Sequence, residues 1–339
     1  MPKQWKTIAS SMLKDSGYPV YGANGIIGYY SEYNHDKETI LVTCRGATCG
    51  SVNICEPFSY INGNAMALDN LDGKIDIKYL YYYLKKRGFD DVISGSAQPQ
   101  ITRTSIEKIE IPICEISKQK MIVNLFDKTE LLINNQKRQL QLLDELVKAR
   151  FVEMFGDEKK QIIMRDVCSI ITDGTHQPPD FKNIGIPFIF VSNIAGDKLT
   201  YNVEKYIDQD TYDELIKRTP IEVGDVLLST VGSYGHAAVV KENKKFLFQR
   251  HIAYLKPKSE LINSDYLHGA ILSPNVQEQI ERAIKGIAQK TLNLSEVKKL
   301  VIPLPSMEKQ NQFASFVKEI DKSRLLSNHS LFLIKSIIL

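Results

Sequence analysis

Two stretches of the chain carry the hydrophobic spacing of a long amphipathic helix, one in the middle and one at the end. In both, apolar residues recur at heptad positions a, d and e, which predicts one face packed against a partner helix. The first stretch covers about 39 residues from Ser117 to Phe155, which gives a helix of about 58 Å. The predicted interface residues are Ile122, Leu125, Phe126, Leu132, Ile133, Leu140, Leu143, Leu146 and Val147 in the first stretch, and Phe313, Phe316, Val317, Ile320, Ile334 and Ile337 in the second.

Short strand patterns and glycine-rich turns precede each long helix. In the first half, residues 18–30 and 39–55 are predicted to be strands interrupted by glycines. Residues 77–89 have a helical pattern that ends at Gly88, because glycine suits the positive φ of a helix C-terminus. A polar loop, a short helix and a strand that ends at Pro112 are predicted to follow.

The second half repeats this order. Residues 93–125 align without a gap with residues 284–316, at a constant offset of 191 positions, as from Gly95 to Gly286. A repeat of this length indicates a duplicated domain rather than a solenoid unit. We therefore predict an α+β fold in which two similar α/β domains are joined by two long helices. The helices are expected to pair as an antiparallel coiled coil with pseudo-two-fold symmetry.

The two copies differ in length. Pro19 to Gly95 spans 76 positions whereas Pro187 to Gly286 spans 99, so the first copy lacks 23 residues in mid-domain. The distal helix stops 7 residues short of the position that corresponds to Phe155. We expect its apolar last residues to pack on the first helix or on a partner subunit. The predicted boundaries are 1–115 for the first domain, 116–156 for the central helix, 157–304 for the second domain and 305–339 for the distal helix.

The composition is that of an ordinary globular protein. Of 339 residues, 43% are hydrophobic and 24% are charged, and this length favours two domains. No apolar run reaches roughly 18 residues, and the first residues lack a signal core, so we expect a cytoplasmic protein without a membrane span. The gaps between Cys44, Cys49 and Cys55 match no zinc module, which predicts reduced thiols packed in strands.

The net charge of +3 is small for a protein that binds nucleic acid. A protein that binds DNA by itself usually has a larger basic excess, because neutralisation of phosphates supplies most of the non-specific affinity. If nucleic acid is the ligand, the basic residues must be clustered or partner subunits must supply much of the positive charge.

Motifs of the enzyme classes that act on DNA are missing. Methylation of a base amino group needs an Asn/Asp-Pro-Pro-aromatic loop, and residues 176–181 have two prolines without the Asn or Asp before them or the aromatic residue directly after. Asp180, Glu242 and Lys244 could form a nuclease site only across 62 positions. There is no P-loop, nucleophile elbow or dinucleotide fingerprint. The sequence therefore predicts a non-catalytic binding protein with no metal and no cofactor of its own.

In their order, the segments resemble the DNA-specificity subunits of type I restriction–modification systems. The resemblance covers nearly the whole chain and is carried by residues 18–30, 43–52, 94–113, 173–181, 185–194, 224–240 and 118–157. It implies two target-recognition domains, each reading one half of a bipartite double-stranded DNA target, with the helices setting the spacer. It leaves open whether the shortened first domain reads fewer bases than the second.

The resemblance also implies partners. Such subunits assemble with two modification subunits, which bind S-adenosylmethionine and methylate adenine, and restriction or translocase subunits can then join. This chain would itself hold neither activity.

Base reading requires donors and acceptors that reach the major groove. Arg45 and Arg250 suit guanine, and Gln98 and Gln289 suit adenine. Any one of these could instead stabilise a turn, and the two equivalent glutamines could hold a shared loop or touch phosphate. The candidate DNA-binding residues are Asn24, Thr43, Arg45, Thr48, Ser51, Gln98, Gln100, Thr102 and Arg103 in the first copy, and Thr175, His176, Gln177, Ser229, Thr230, Ser233, Tyr234, Arg250, His251, Gln289, Lys290, Thr291 and Asn293 in the second.

Other functions stay open at this stage. The chain could belong to a methylation-only assembly or be a phase-variable fragment, which its own residues do not distinguish. A single-chain endonuclease–methylase would need motifs that are missing here. A coiled-coil scaffold that does not bind DNA would show no sequence-dependent electrophoretic shift when a modification subunit is added.

Overall fold

The computed structural model describes residues 2–95, 98–286 and 290–338, with only the backbone described for 335–338. Two compact units are present, one made of Met1–Asn134 with Ile334–Leu339 and the other of Asn135–Leu333. Both units combine helices with sheets, which confirms the mixed α and β fold class. Across the described ranges, no helix is long and apolar enough to cross a membrane.

The first unit contains two small sheets. Its strands are β1 (Pro2–Gln4), β2 (Tyr18–Gly22), β3 (Gly25–Tyr30), β4 (Thr39–Thr43), β5 (Val52–Cys55), β6 (Tyr60–Ile61) and β7 (Ala65–Leu68). One sheet has the antiparallel order β1-β7-β4-β5, and the other has the order β3-β2-β6 with β2 and β6 parallel. The antiparallel pairing of β4 with β5 confirms the predicted strand–turn–strand.

Two helices lie against the first of these sheets, α1 (Ile77–Arg87) and α2 (Arg103–Ile106). The long helix α3 (Ile116–Phe155) begins in this unit. Leu80 and Leu84 of α1 are buried against the strands, where they meet Ile40 and Met66. As predicted, Gly88 ends α1 with a φ of 68°.

The second unit has the same elements with additions. Its strands are β8 (Gln161–Ile163), β9 (Cys168–Asp173), β10 (Ile186–Ile189), β11 (Tyr206–Ile207), β12 (Val226–Ser229), β13 (Ala237–Val239), β14 (Leu247–Phe248), β15 (Ile252–Pro257) and β16 (Val301–Pro303). Its helices, after the end of α3, are α4 (Met164–Val167), α5 (Gln209–Leu215), α6 (Ser264–Ile271), α7 (Pro274–Ala283), α8 (Leu294–Val297) and α9 (Met307–Ile338).

The strand orders of the two units correspond. The sheet β13-β12-β15-β9 matches β5-β4-β7-β1, and β11-β10-β14 matches β3-β2-β6. The parallel pair also recurs, because β10 pairs with β14 as β2 pairs with β6. This correspondence confirms the duplication inferred from the sequence.

One predicted strand is missing from the first unit. In the second unit β16 forms a two-stranded sheet with β8, with Ile302 opposite Ile162. The prediction of an equivalent strand ending at Pro112 was wrong, because residues 109–115 are irregular. Among the described residues of the first unit, no strand corresponds to β8, so this backbone has no neighbour with which to form a ladder.

Parts of the two long helices lie antiparallel within the second unit. The ring of Phe151 lies 5.3 Å from that of Phe313. Further along, the Arg324 guanidinium contacts the Asp144 carboxylate at 2.5 Å. Because the partners run in opposite order along the chain, residues 144–155 of the first long helix and 313–324 of the second are antiparallel. The pairing of the remaining parts stays a prediction.

The apolar stripes are only partly covered. Phe313, Val317 and Ile320 are buried, whereas Leu125, Leu132 and Leu146 are 62%, 50% and 46% exposed. An a/d/e stripe is broader than one partner helix covers, so the role of the three leucines as interface residues stays a prediction. Half-buried positions of the stripes are Ile122, Phe126, Ile133, Leu140, Leu143, Val147, Phe316 and Ile334. The side chain of Ile337 lies outside the described part of the chain.

A buried glutamine joins the first domain to its long helix. Gln119, in the first turn of α3, accepts a hydrogen bond from the backbone N–H of Asp76, the N-cap of α1, at 2.8 Å. Its amide nitrogen donates to the carbonyls of Lys74 and Cys114 at 2.8 and 2.7 Å. The side chain is fully buried, so its donors and acceptor depend on these partners.

The same contact recurs in the second unit. Gln310 accepts from the backbone N–H of Asn263, the N-cap of α6, at 2.9 Å. It donates to the carbonyls of Leu261 and Pro305 at 3.2 and 3.1 Å. Each domain therefore meets the start of its long helix through one amide that satisfies three backbone groups.

We predict that Gln310→Leu lowers the free energy of unfolding by about 1–3 kcal/mol, because the substitution leaves a buried N–H and two carbonyls without partners. Urea unfolding followed by circular dichroism measures the effect, and Gln119→Leu should act likewise in the first unit. Gln141→Leu, at an exposed position of α3, is the matched control. Equal stability of Gln310→Leu and this control would contradict the role given to the amide.

Candidate nucleic-acid interface

Two loops meet at one edge of the first unit. The turn after β4 and the polar loop around Gly95 are joined by backbone hydrogen bonds, from the Ile101 N–H to the Cys44 carbonyl at 3.0 Å and from the Gly46 N–H to the Pro99 carbonyl at 3.2 Å. This brings Arg45 onto the same surface as Gln98 and Gln100, which lie far from it in sequence. All three of these predicted site residues are exposed.

The second unit repeats this geometry. The N–H of Leu292 donates to the Thr230 carbonyl at 2.8 Å, and the N–H of Gly232 donates to the Lys290 carbonyl at 3.2 Å. Gly232 and its counterpart Gly46 have φ values of 74° and 93°, a conformation that side chains with a Cβ rarely adopt. Both turns therefore require glycine.

A reciprocal backbone pair closes each polar loop. Ser94 and Gln100 exchange two N–H to carbonyl bonds at 2.9 Å, and Lys285 and Thr291 do the same at 3.0 and 2.9 Å. Lys290 is exposed beside this closure. Gln289 lies outside the described residues, so its predicted adenine contact stays a prediction.

Three of the predicted base-reading hydroxyls are buried. The hydroxyl of Thr43 donates to the Ala23 carbonyl at 2.6 Å, that of Ser229 to the His236 carbonyl at 3.3 Å and that of Thr230 to the His251 carbonyl at 3.0 Å. None of these side chains is more than 4% exposed. In this conformation they hold the loops in place and do not reach a surface where a base could lie.

The turn between β2 and β3 joins the first-unit surface. The hydroxyl of Thr48 donates to Asn24 Oδ1 at 2.5 Å, so these two exposed candidates belong to the same surface as Arg45. Ser51 is exposed beside them. The candidates of this surface therefore come from three separate segments of the chain.

Two first-unit candidates also have local structural roles. The side chain of Thr102 caps α2 by accepting from the Ser105 N–H at 3.2 Å. Arg103 forms an exposed ion pair with Glu107 at 2.8 Å. An exposed ion pair of this kind contributes little, and both Thr102 and Arg103 remain exposed.

The second unit has a charged cluster that the sequence analysis did not identify. Arg218 contacts the carboxylate of Asp173, and His176 Nε2 lies 2.9 Å from the same carboxylate and 3.2 Å from the Arg218 guanidinium. Arg218 is 52% exposed. It belongs to none of the sequence motifs and is far from His176 along the chain, so no local signal marks it.

Arg250 and His251 lie next to this cluster. The Arg250 N–H donates to the carbonyl of Thr175 at 3.0 Å, and Arg250 Nε lies 3.4 Å from His251 Nε2. Burial, and then the neighbouring Arg250 guanidinium, lower the pKa of His251. The neutral imidazole is therefore favoured near pH 7, and it can serve as a hydrogen-bond acceptor as well as a donor.

The other second-unit candidates lie around Tyr234. Its hydroxyl donates to Glu281 at 3.0 Å, and the Lys290 ammonium lies 3.4 Å from that hydroxyl. Asn293 is the N-cap residue of α8. The remaining exposed candidates are Gln177 and Ser233.

Each unit therefore presents a loop surface with amide and hydroxyl groups and cationic side chains. Arginine and lysine attract phosphate, and amides and arginine can read base edges. Over the residues that the structure describes, no group of three or more His, Cys, Asp or Glu side chains is placed to hold a metal ion.

We predict that Arg250→Gln raises the pKa of His251, because it removes the neighbouring positive charge. The pKa of His251 should nevertheless stay lowered in this variant, since burial is the larger cause of the depression. The Hε1 chemical shift of His251, followed by NMR between acidic and neutral pH, measures the change. Arg165→Gln is the control, at an exposed arginine whose ion pair is with Asp166. An unchanged pKa in Arg250→Gln would rule out the electrostatic coupling.

Comparison with known proteins identifies the family. The type I restriction modification DNA specificity domain matches residues 3–144 and 158–334. The EcoBI type I restriction enzyme specificity subunit of Escherichia coli is 22% identical over 342 residues, which cover 90% of this chain and 68% of the relative. A putative type I restriction enzyme specificity subunit of Haemophilus influenzae is 25% identical over 353 residues, covering 95% of this chain and 84% of that protein.

A solved structure has the same fold. The crystal structure of the S subunit of a type I restriction-modification system from M. genitalium covers 100% of this chain and 91% of its own, with a TM-score of 0.57 at 15% identity. Because the two family matches together span most of the sequence, this chain belongs to the type I restriction modification DNA specificity family.

Proposed function

We propose that the chain is the sequence-specific DNA-binding subunit of a type I restriction–modification complex, and that each unit reads one half of a bipartite target. The observation that carries this proposal is the duplicated loop pair. Gly46 and Gly232 make the same contact with equivalent polar loops, while the exposed residues around them differ. Two loop pairs with the same backbone contacts and different exposed side chains suit two different half-sites.

We further propose that the long helices set the distance between the half-sites. The 40 residues of α3 give a helix of about 60 Å. Half-sites on one side of B-DNA are about 34 Å apart for one helical turn. Helices of this length suit such a spacing, with overhang at both ends for contact with the domains.

The modest net charge supports assembly with partners. At +3, the chain has little excess charge to neutralise phosphates, so partner subunits would supply much of the non-specific affinity. We propose that these partners are two modification subunits that bind S-adenosylmethionine and methylate adenine. Restriction or translocase subunits would join the same complex, and this chain would supply recognition without catalysis.

Within each surface we assign base reading to exposed side chains. Arg45, Gln98 and Gln100 act in the first unit, and Arg250 and Lys290 in the second. Arg218 joins the second set because it is exposed and next to His176. The buried hydroxyls of Thr43, Ser229 and Thr230 position these loops.

We predict that Arg45→Ala weakens binding of the assembled complex to its cognate DNA by about 1–3 kcal/mol and relaxes specificity in one half of the target only. Arg250→Ala should relax the other half. Sequencing of methylated adenines in cells that carry each variant measures the effect. Arg165→Ala, at an exposed arginine outside both surfaces, should leave the motif unchanged. Relaxation of both halves by either variant would contradict the assignment of one half to each unit.

We predict that seven residues inserted into both α3 and α9 lengthen the unread spacer or abolish methylation, because a heptad adds about 10.5 Å of helix. The methylated motif again provides the measurement. A seven-residue glycine–serine insertion after Asn243, in an exposed loop, is the control and should keep the original gap. An unchanged gap in the helix variant would overturn the role of the helices as a ruler.

A further inference from the structure

The turn that carries Arg250 and His251 in the second unit has a counterpart in the first unit. Arg250 and His251 form the turn directly before β15, and residues 63 and 64 form the turn directly before β7. The strands that follow are equivalent, since β15 pairs with β12 as β7 pairs with β4. Because the second-unit turn belongs to the candidate DNA surface, its counterpart occupies the equivalent place in the first unit.

One hydrogen bond closes each of these turns. The N–H of Ala65 donates to the Asn62 carbonyl at 2.9 Å, and the N–H of Ile252 donates to the Gln249 carbonyl at 3.1 Å. Each bond joins a residue to the third residue before it and encloses the two turn residues. The two turns therefore have the same hydrogen-bonded form.

A second hydrogen bond holds each turn against the loop that follows the central strand. The carbonyl of Asn64 accepts from the Cys44 N–H at 3.2 Å, and the carbonyl of His251 accepts from the Thr230 N–H at 2.9 Å. Asn64 therefore corresponds to His251. Because Cys44 directly precedes Arg45, Asn64 lies beside the loop surface of the first unit.

The first-unit turn has no side chain at the position of Arg250. The residue there is Gly63, and a Cβ on it would lie 2.5 Å from Thr7 Oγ1 and 2.9 Å from the carbonyl oxygen of Trp5. The N-terminal segment therefore leaves room only for glycine. Of the two turn residues, Asn64 alone has side-chain groups that can contact a ligand.

A different asparagine holds the shape of this turn. The side chain of Asn62 is 3% exposed, and its Oδ1 accepts from the backbone N–H groups of Ile8 and Gly63 at 3.1 and 2.9 Å. Asparagine commonly stabilises turns through bonds of this kind. Because Asn62 supplies them, the turn does not need the side chain of Asn64 for its conformation.

The side chain of Asn64 is exposed. Within residues 2–95, 98–286 and 290–334, its amide forms no hydrogen bond to another group of the protein. A primary amide has two N–H donors and a carbonyl acceptor. All of these groups are therefore available to a ligand on the surface that also carries Arg45.

We propose that Asn64 reads an A·T base pair in the half-site of the first unit. Its amide oxygen accepts from the N6 amino group of adenine, and its amide nitrogen donates to N7. Asparagine matches this pair of groups in the major groove, where the pattern distinguishes adenine from the other bases. The inference rests on the proposed DNA recognition, and it adds one reader to the half-site assigned to Arg45, Gln98 and Gln100.

We expect Asn64→Ala to make one A·T pair degenerate in one half of the methylated motif, because alanine has no group that can hydrogen-bond a base edge. Sequencing of methylated adenines in cells that carry the variant measures the change. The affected half should be the half that Arg45→Ala relaxes. Asn124→Ala, at an exposed asparagine of α3, is the matched control and should keep the motif. A motif that Asn64→Ala leaves intact, or relaxes only in the other half, would overturn the inference.

Binding to two DNA duplexes separates base reading from a role in folding. One fluorescein-labelled duplex carries the wild-type motif, and the other has G·C in place of the A·T pair. The assembled wild-type complex should bind the first at least about fivefold more tightly in fluorescence anisotropy. The complex with Asn64→Ala should bind both duplexes equally. Undiminished discrimination by Asn64→Ala would overturn the assignment.

Thermal melting provides the check on folding. Asn64→Ala should melt at the wild-type temperature, because the side chain that it removes makes no hydrogen bond within the described residues. A large loss of stability would show that Asn64 supports the fold, and this result would also overturn the assignment.

The same experiments distinguish this inference from the proposed function. A wild-type complex that methylates a motif without two halves would overturn both. A bipartite motif that Arg45→Ala relaxes in one half and Asn64→Ala leaves unchanged would overturn only the role of Asn64.

Discussion

Gln119 and Gln310 each place one primary amide between the first turn of a long helix and the residues that begin a domain helix. Each amide accepts from the backbone N–H of an N-cap residue and donates to two carbonyls. A buried amide with all of these partners satisfied permits one geometry, since any rotation leaves a polar group unpaired. The domain sheets, loops and cavities are all positioned relative to a helix start that is held in this way.

The loop surfaces depend on backbone contacts within each unit. The turn after β4 in the first unit, and the turn after β12 in the second, are joined to the polar loop by N–H to carbonyl bonds. Buried hydroxyls such as those of Thr43 and Thr230 support these turns. The exposed side chains of Arg45 and Lys290 take no part in those backbone bonds. Other side chains can therefore replace them without disturbing the backbone bonds between the turns and the polar loops. A fold needs this property if it is to present different recognition surfaces.

Duplication did not produce two identical units. Gly269 of α6 has no side chain, so the rings of Phe151 and Phe313 can pack closely against its backbone. Tyr82, at the corresponding position of α1, stacks on Phe126 and donates its hydroxyl to Asp127. The strand β16 pairs with β8 in the second unit, while the corresponding first-unit residues are irregular. In both cases the difference follows from the neighbour that is available. The second unit has Phe151 and Phe155 beside α6 and β8 beside β16.

Local patterns in the sequence were sufficient for the repeat, for the strand–turn–strand of residues 39–55 and for the ends of α1 and α3. Each depends on residues close together in the chain, such as the glycine after α1 or the heptad spacing of α3. The family resemblance rested on the same segments. The sequence of these segments, however, did not show which of their polar residues would be exposed.

Burial and clustering were decided by the tertiary structure. Thr43, Ser229 and Thr230 looked like surface residues in a polar turn, yet each donates to a carbonyl from another segment or strand. Arg218 meets Asp173 and His176 across about forty positions, a contact that no local pattern encodes. By itself the sequence determined the duplicated set of helices and strands, because hydrophobic period and turn chemistry act over a few residues. Only the folded chain decided which polar groups face solvent and which are buried, because burial depends on segments that meet after long separations in sequence.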